Sequence, residues 1–271
     1  MKTNILILAV CAALPGLALN QESWVASYGS NGNSCTQSAP CATFQGALGA
    51  TSAGGIVRAI DTADYGPVRI TQSVTIDGNG TGASIAVANA DAIDINPGVS
   101  GGVVIRNLVL AGVGGPTGIF AQSSAVIENV SINGNWSDGI VCYAVSAGVT
   151  CNLRNVSIIG SQFGVIVQGA SLSVRDSLVQ GNNTGIYVVS NGASLPGAAL
   201  VERSEISFNT VAGIYVDGTV GPALVRYSYC VVTGNATGIQ TVNGGQIITD
   251  RTNMLAGNTS DGVTPFSISA K

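Results

Sequence analysis

Val103-Val104-Ile105-Arg106-Asn107-Leu108-Val109-Leu110-Ala111-Gly112, followed after a loop by Gly118-Ile119-Phe120-Ala121, is a phrase that the chain repeats almost to its end. Aligned on the residue after the charged position, the copies fall at Asn107, Asn129, Asn155, Asp176, Arg203 and Tyr227, with a degraded seventh at Arg251. The steps between these anchors are 22, 26, 21, 27, 24 and 24 residues. A second anchor, a glycine followed by Ile or Val, recurs at Gly118, Gly139, Gly164, Gly185, Gly213, Gly238 and Gly262. Self-similarity at a period of about 20–50 residues signals a solenoid and outranks any local reading of secondary structure.

Within each copy the apolar residues alternate with period two, the mark of strands. Two residues before the anchors stand Ile105, Ile127, Leu153, Val174, Val201 and Val225. Three residues after them stand Leu110, Ile132, Ile158, Val179, Ile206 and Cys230, and the glycines are followed by Ile119, Ile140, Val165, Ile186, Ile214 and Ile239. Each coil therefore sends apolar side chains inward from three short strands, and stacking builds aliphatic columns. The connections are Gly, Asn, Ser and Thr, which favour turns over helices and weaken a leucine-rich-repeat reading. Crossovers between parallel strands are almost always right-handed. The expected fold is all-β: a right-handed, single-stranded parallel β-helix with three sheets.

Ile105-Arg106-Asn107-Leu108-Val109-Leu110 followed by Gly118-Ile119 resembles the repeat of the right-handed β-helix superfamily that includes the pectin-lyase-like proteins. The resemblance implies a ladder of stacked asparagines at one turn; Asn107, Asn129 and Asn155 match it, and it lapses at Asp176, Arg203 and Tyr227. The superfamily's activities are too varied to follow from the fold alone. Nearer the start, Cys35-Thr36 and Cys41-Ala42-Thr43-Phe44, then Gly54-Gly55, Tyr65-Gly66 and Ser73-Val74-Thr75-Ile76-Asp77, resemble the opening of exported bacterial β-helix proteins of unknown role.

Lys2, the apolar run Ile5 to Ala13 and the small-residue end Gly16-Leu17-Ala18 read as a secretory signal peptide over residues 1–18. That run is too short to span a bilayer. The protein is expected to be secreted, periplasmic or held at the cell surface. Residues 19–54 read as an N-terminal cap, with a Cys35–Cys41 disulfide loop and a short helix around Thr43 to Leu48, because a solenoid must cover its open end. Residues 55–271 form the solenoid. Cys142 and Cys151 both point into one coil, which allows a second disulfide or two buried thiols, and Cys230 reads as a core residue.

Once Lys2 leaves with the signal, nine basic residues face fourteen acidic ones, a net charge of −5. A weakly acidic chain with no basic cluster is a poor partner for nucleic acid or anionic membrane. Asp61, Asp64, Asp77, Asp91 and Asp94 gather in the early coils, as a calcium site would require, but turn-forming aspartates on a solvated face do the same. Nothing in the chain calls for a metal or other cofactor.

Two outward columns carry the functional question. The residue before each anchor is charged: Arg106, Glu128, Arg154, Arg175, Glu202, Arg226 and Asp250. With coils about 4.8 Å apart, this reads as a cross-strand charge ladder that holds register, with Arg154–Arg175 as its one like-charged step. The strand after each glycine presents Phe120, Val141, Ile166, Tyr187, Tyr215 and Gln240, and two residues on Gln122, Tyr143, Gln168, Val189, Asp217 and Val242. An apolar, aromatic stripe on an outer face needs an occupant. In polysaccharide-acting relatives the groove runs along the equivalent sheet. The resemblance therefore implies a ligand face of Phe120, Gln122, Tyr143, Gln168, Tyr187, Tyr215 and Asp217, with the tyrosines as platforms for sugar rings and a polysaccharide or cell-surface glycan as partner. Loops folding over the stripe, or a second copy in a homo-oligomer, would cover it equally well.

Catalysis finds little support. The chain has no histidine, so it lacks the Gly-His-Gly of polygalacturonase-like members and the histidine of alginate-epimerase-like ones. Pectate-lyase-like members use calcium-binding aspartates with a basic side chain in the groove, whereas these arginines fall mainly in the ladder column. Paired-carboxylate hydrolysis wants acids about 5–9.5 Å apart. Asp138 and Asp217 stand three coils apart, roughly 14 Å by strand spacing, and Glu202 and Asp250 have Arg226 between them. The expectation is a non-catalytic binding module. A polysaccharide lyase needing aspartates and an arginine in one groove is the second reading, and a self-associating structural solenoid the third.

Overall fold

The computed structural model describes residues 19–263 and 265–267, so the signal peptide expected over 1–18 lies outside the described residues. The chain is a parallel β-solenoid. A representative coil runs Thr150–Arg154, Ser157–Ile159 and Phe163–Gln168, and the next runs Ser171–Arg175, Leu178–Gln180 and Thr184–Val189. Each strand pairs in parallel with its counterpart one coil away: Leu153 with Val174, Ile158 with Val179, Val165 with Ile186. The inward columns read from the alternation form one continuous core in which Ile105, Ile127, Val174, Ile158, Ile186 and Ile214 are buried.

Three faces surround this core, but among the described residues they hydrogen-bond as two sheets of seventeen and nine strands. The first two faces merge because Val103–Val113 and Ala125–Asn135 run unbroken around the corner at Asn107 and Asn129. There the backbone turns through positive φ, 58° at Asn107, 53° at Asn129 and 51° at Asn155. Asparagine tolerates this left-handed conformation better than most residues. Its side chain also stacks: Asn155 Nδ2 donates to Asn129 Oδ1 at 2.8 Å, and Asn129 Nδ2 to Asn107 Oδ1 at 3.1 Å. Asn107 passes the chain on to Asp77 at 2.7 Å. Beyond Asn155 the corner column continues as an ion pair, Arg203 on Asp176 at 2.8 Å.

Two expectations about the columns need correction. The sixth corner residue is Tyr229, whose φ is 53°, and not Tyr227, which pairs with Val201 and is buried. Arg226-Tyr227 imitates the charged-then-anchor signature two residues too early. The residue beside Glu202 in the ladder is therefore Ser228, and Arg226 pairs with Leu200 and Ile248. Cys230 shifts with it: the column of Ile206 continues to Val232, and Cys230 lies buried just past the corner.

The charge ladder also starts earlier than the repeat. Asp77 pairs in register with Arg58 on one side and Arg106 on the other. It accepts Arg106 at 2.9 Å and the Asn79 amide at 2.8 Å. Burial works against its charge, but Asn107, the Asn79 amide and Arg106 hold its carboxyl below the usual range. Asp77 thus belongs to the ladder and not to a calcium cluster. Among the described residues no group of three or more acidic or cysteine side chains is arranged to hold a metal.

A second asparagine ladder runs inside the later coils. Asn182, Asn209 and Asn235 are buried, and each donates both its side-chain amide and its backbone N–H to the Oδ1 of the next: Asn182 to Asn209, Asn209 to Asn235, Asn235 to Asn258, at 2.8–3.2 Å. The adjoining glycine column is set by crowding. A Cβ on Gly185 would lie 2.5 Å from the Gly213 carbonyl oxygen, and one on Gly139 equally close to that of Gly164.

Segment 19–54 combines cap and rung. Asn20–Val25 already pairs in parallel with Thr51–Ala59. Cys35 and Cys41 are joined. Helix Phe44–Ala50 is capped by Thr43, whose hydroxyl accepts the Gly46 amide at 3.0 Å, and it lays Phe44, Ala47 and Leu48 over the open core. Phe44 packs against Tyr65 at 5.1 Å, and Tyr65 donates to Asp61, which also takes the Ser27 amide and hydroxyl. Cys142 and Cys151 form a second disulfide within one coil. Disulfides of this kind persist in oxidising compartments. Among the described residues no helix is long and apolar enough to cross a membrane.

Candidate functional site

The outer face of the nine-stranded sheet carries every residue of the expected ligand face. Register places Phe120, Val141, Ile166, Tyr187, Tyr215 and Gln240 in one column. Tyr143, Gln168, Val189, Asp217 and Val242 form the next, and Gln122 continues its strand by donating its backbone N–H to the Ile95 carbonyl. Phe120, Tyr143, Tyr187 and Tyr215 are half-buried, whereas Val141 and Val189 between them are covered.

The rings make contact from coil to coil. Tyr187 and Tyr215 lie 5.4 Å apart at 54°, and Phe120 and Tyr143 lie 6.2 Å apart at 35°. These are ordinary tilted aromatic pairs, within the range where ring quadrupoles attract. Phe163, absent from the expected face, joins it 5.6 Å from Tyr187. It stands immediately before Gly164, where the chain bends into the strand and alternation ceases to predict direction.

The polar groups divide into two sets. At one end of the stripe the Tyr187 hydroxyl donates to Asp217 Oδ2 at 3.2 Å. Burial first, then the Asp217 charge, pushes the Tyr187 phenol up to about 12. Burial also works against the Asp217 carboxylate, but Thr219 and Tyr187 hold it below its ordinary range. At the other end stand Asp91, Asp94 and Asp138. Burial, reinforced by the Asp91 charge, pushes Asp138 up to about 6. Asp94 is raised by burial as well, with Arg69 opposing and Asp91 adding. Arg69 lies 3.4 Å from Asp94 and donates to Asn96 at 2.8 Å.

Arg69 and the three aspartates thus share this sheet, a neighbourhood that the sequence reading did not assemble. The other arginines, Arg58, Arg106, Arg154, Arg175, Arg203, Arg226 and Arg251, lie on strands or corners of the seventeen-stranded sheet. Glu202 and Asp250 are separated by Ser228 in register, and Glu202 is taken by Arg175 at 2.9 Å. Asp138 and Asp217 stay three coils apart, as strand spacing implied.

A family model described as "Right handed beta helix region" matches residues 91–259. Among solved structures, pectate lyase Pel9A superposes with a TM-score of 0.58 at 13% identity, over 94% of this chain and 78% of that one. The A-module of the mannuronan C-5 epimerase AlgE4 from Azotobacter vinelandii gives a TM-score of 0.49 at 16% identity, over 92% and 89%. At such identities the likeness concerns the fold. No curated protein matches the sequence.

Proposed function

This chain belongs to the right-handed β-helix family, and from that premise we propose that it is an exported, non-catalytic module that binds a glycan along the outer face of its nine-stranded sheet. The observation that carries the reading is the run of half-buried rings in contact across coils, Phe163, Tyr187 and Tyr215, with Phe120 and Tyr143 further along. Rings spaced by the coil repeat, at about 4.8 Å per step, offer an extended polymer a succession of apolar platforms. Gln122, Gln168 and Asp217 stand beside them as hydrogen-bonding groups for sugar hydroxyls. Such a site, apolar with a few placed polar groups, is the usual composition of a ligand surface. The two disulfides support an exported setting.

The test is a titration of the folded chain with a panel of soluble oligosaccharides, read by calorimetry, beside a variant carrying Tyr187→Ala and Tyr215→Ala. The reading expects heat of binding for the native protein and its loss in the variant, with the fold retained and stability not lowered much. Binding that survives the double substitution overturns it, as does shortening of the oligosaccharides by the native protein. Self-association of the native protein that the double substitution abolishes would assign the stripe to a second copy instead.

A further inference from the structure

The arginines are unevenly divided between the two sheets, and the division selects a ligand. Among the described residues, Arg69 is the one arginine on the nine-stranded sheet, and it is committed to Asp94 and Asn96. The same sheet bears Asp94, Asp138, Asp217 and Asp261, with Asp91 two residues ahead of the strand Ile93–Ile95. Five carboxylates against one engaged guanidinium make this face anionic, whereas on the opposite faces seven arginines stand among at least as many carboxylates. The negative end is neutralised only in part: Arg69 pairs with Asp94 Oδ2, while Asp91 Oδ1 and Asp94 Oδ1 are buried atoms without a hydrogen-bond partner among the described residues. Low-dielectric walls strengthen and focus the field of such groups.

Resting on the glycan-binding reading above, we propose that this face takes an uncharged polysaccharide and excludes polyuronates. A polyuronate laid along the stripe would bring a carboxylate from each sugar over Asp94, Asp138 and Asp217 in turn, with no free cation among the described residues of the face to receive it. An uncharged hexose or pentose polymer meets the same aspartates as hydroxyl donors. Asp217, ionised beside the Tyr187 hydroxyl, and the Gln122 and Gln168 amides then supply acceptors and donors to neutral sugar hydroxyls. The platforms set affinity and the acids set which polymer is admitted, because like-charge juxtaposition is an effective means of rejecting a wrong partner.

The experiment titrates the full chain with cello-, manno- and xylo-oligosaccharides and with oligogalacturonate, at low and at high salt, beside a variant carrying Asp94→Asn and Asp138→Asn. The expected result is binding of at least one uncharged series about tenfold or more tighter than oligogalacturonate at low salt. That gap should shrink at high salt, where charges further apart than the Debye length are screened, and should shrink in the variant. Oligogalacturonate binding as tightly as any uncharged series at low salt overturns the exclusion, and so does a gap that the variant leaves unchanged. If those ligands all bind alike and Tyr187→Ala abolishes them together, the binding face stands and only its selectivity falls. If none binds, the reading beneath it falls too.

Discussion

Tyr187 and Asp217 are joined across one coil, the phenol donating to Oδ2 at 3.2 Å from a ring that itself packs on Tyr215. The phenol is held up to about 12 by burial and by the neighbouring carboxylate. Replacing Asp217 with Asn removes the second cause and leaves the first. The expected outcome is a Tyr187 that ionises at lower pH than in the native protein while still above its ordinary 10.0. Ultraviolet difference titration checks this, with Tyr187→Phe identifying the transition. A titration curve indifferent to Asp217→Asn would mean that the two side chains do not interact in solution.

Asp138 makes stability depend on pH in a stated direction. Its folded pKa of about 6 lies above the ordinary aspartate value of 3.8, so the folded state holds this proton more tightly than the unfolded one. The associated stabilisation is present below the lower value and is lost as pH rises through about 6. The full difference corresponds to at most about 3 kcal/mol, and less once solvent screens the partly exposed group. Asp138→Asn should therefore be more stable than the native chain at neutral pH and close to it only below about pH 4. Urea melts at two pH values decide the matter; equal midpoints for both proteins at neutral pH would contradict it.

The two asparagine ladders should respond differently to substitution. Asn209 is buried and serves Asn182 and Asn235 at once, so Asn209→Ala strands polar groups in the core. A loss of about 2–4 kcal/mol is expected, since each unsatisfied buried group costs about 1–3. Asn129 is exposed, and its main duty is to hold φ at 53° while bridging Asn107 and Asn155. Asn129→Gly keeps the conformation and should cost under about 1 kcal/mol. Thermal melts of the two variants, side by side, check the order.

The glycine column predicts a steric penalty without any anomaly of φ. A methyl group on Gly185 meets the Gly213 carbonyl oxygen at 2.5 Å and the Ile206 side chain at 2.8 Å. Neither neighbour can yield, because both belong to the stacked coil. Gly185→Ala should lower stability by several kcal/mol, of the order of 1–3 for overpacking and more if the coil spacing must open. A melting temperature within a degree or two of native would show that the coils separate easily.

How far the sequence reaches can be judged from these columns. The coil, its inward residues and the stripe were legible because alternation with period two survives in most strands of the regular coils. The inner ladder was not, because Asn182 and Asn235 precede their glycines by three residues and Asn209 and Asn258 by four. Turns absorb such insertions while the side chains still meet in space. The Asp91–Asp138 neighbourhood was also hidden, since register across two coils depends on loop lengths that composition does not reveal. The ladder role of Asp77 was hidden for a related reason: its coil lacks the glycine anchor that would have aligned it with Arg106.

The corrected sixth corner yields the sharpest contrast. Tyr229 holds φ at 53° with its ring largely in solvent, a conformation that costs a bulky residue about 1–2 kcal/mol and a glycine almost nothing. Its backbone N–H donates to Thr252 Oγ1 at 2.9 Å, a bond that any residue but proline retains. Tyr229→Gly is therefore expected to leave stability unchanged or raise it by up to about 1 kcal/mol. Tyr227 is buried between Val201 and Thr249, so Tyr227→Gly should lose about 3–5 kcal/mol, as large aromatic truncations do. Chemical denaturation of the pair checks the register directly. The opposite order, with Tyr229→Gly severe and Tyr227→Gly mild, would return the corner to Tyr227 and place Arg226 back in the charge ladder beside Glu202.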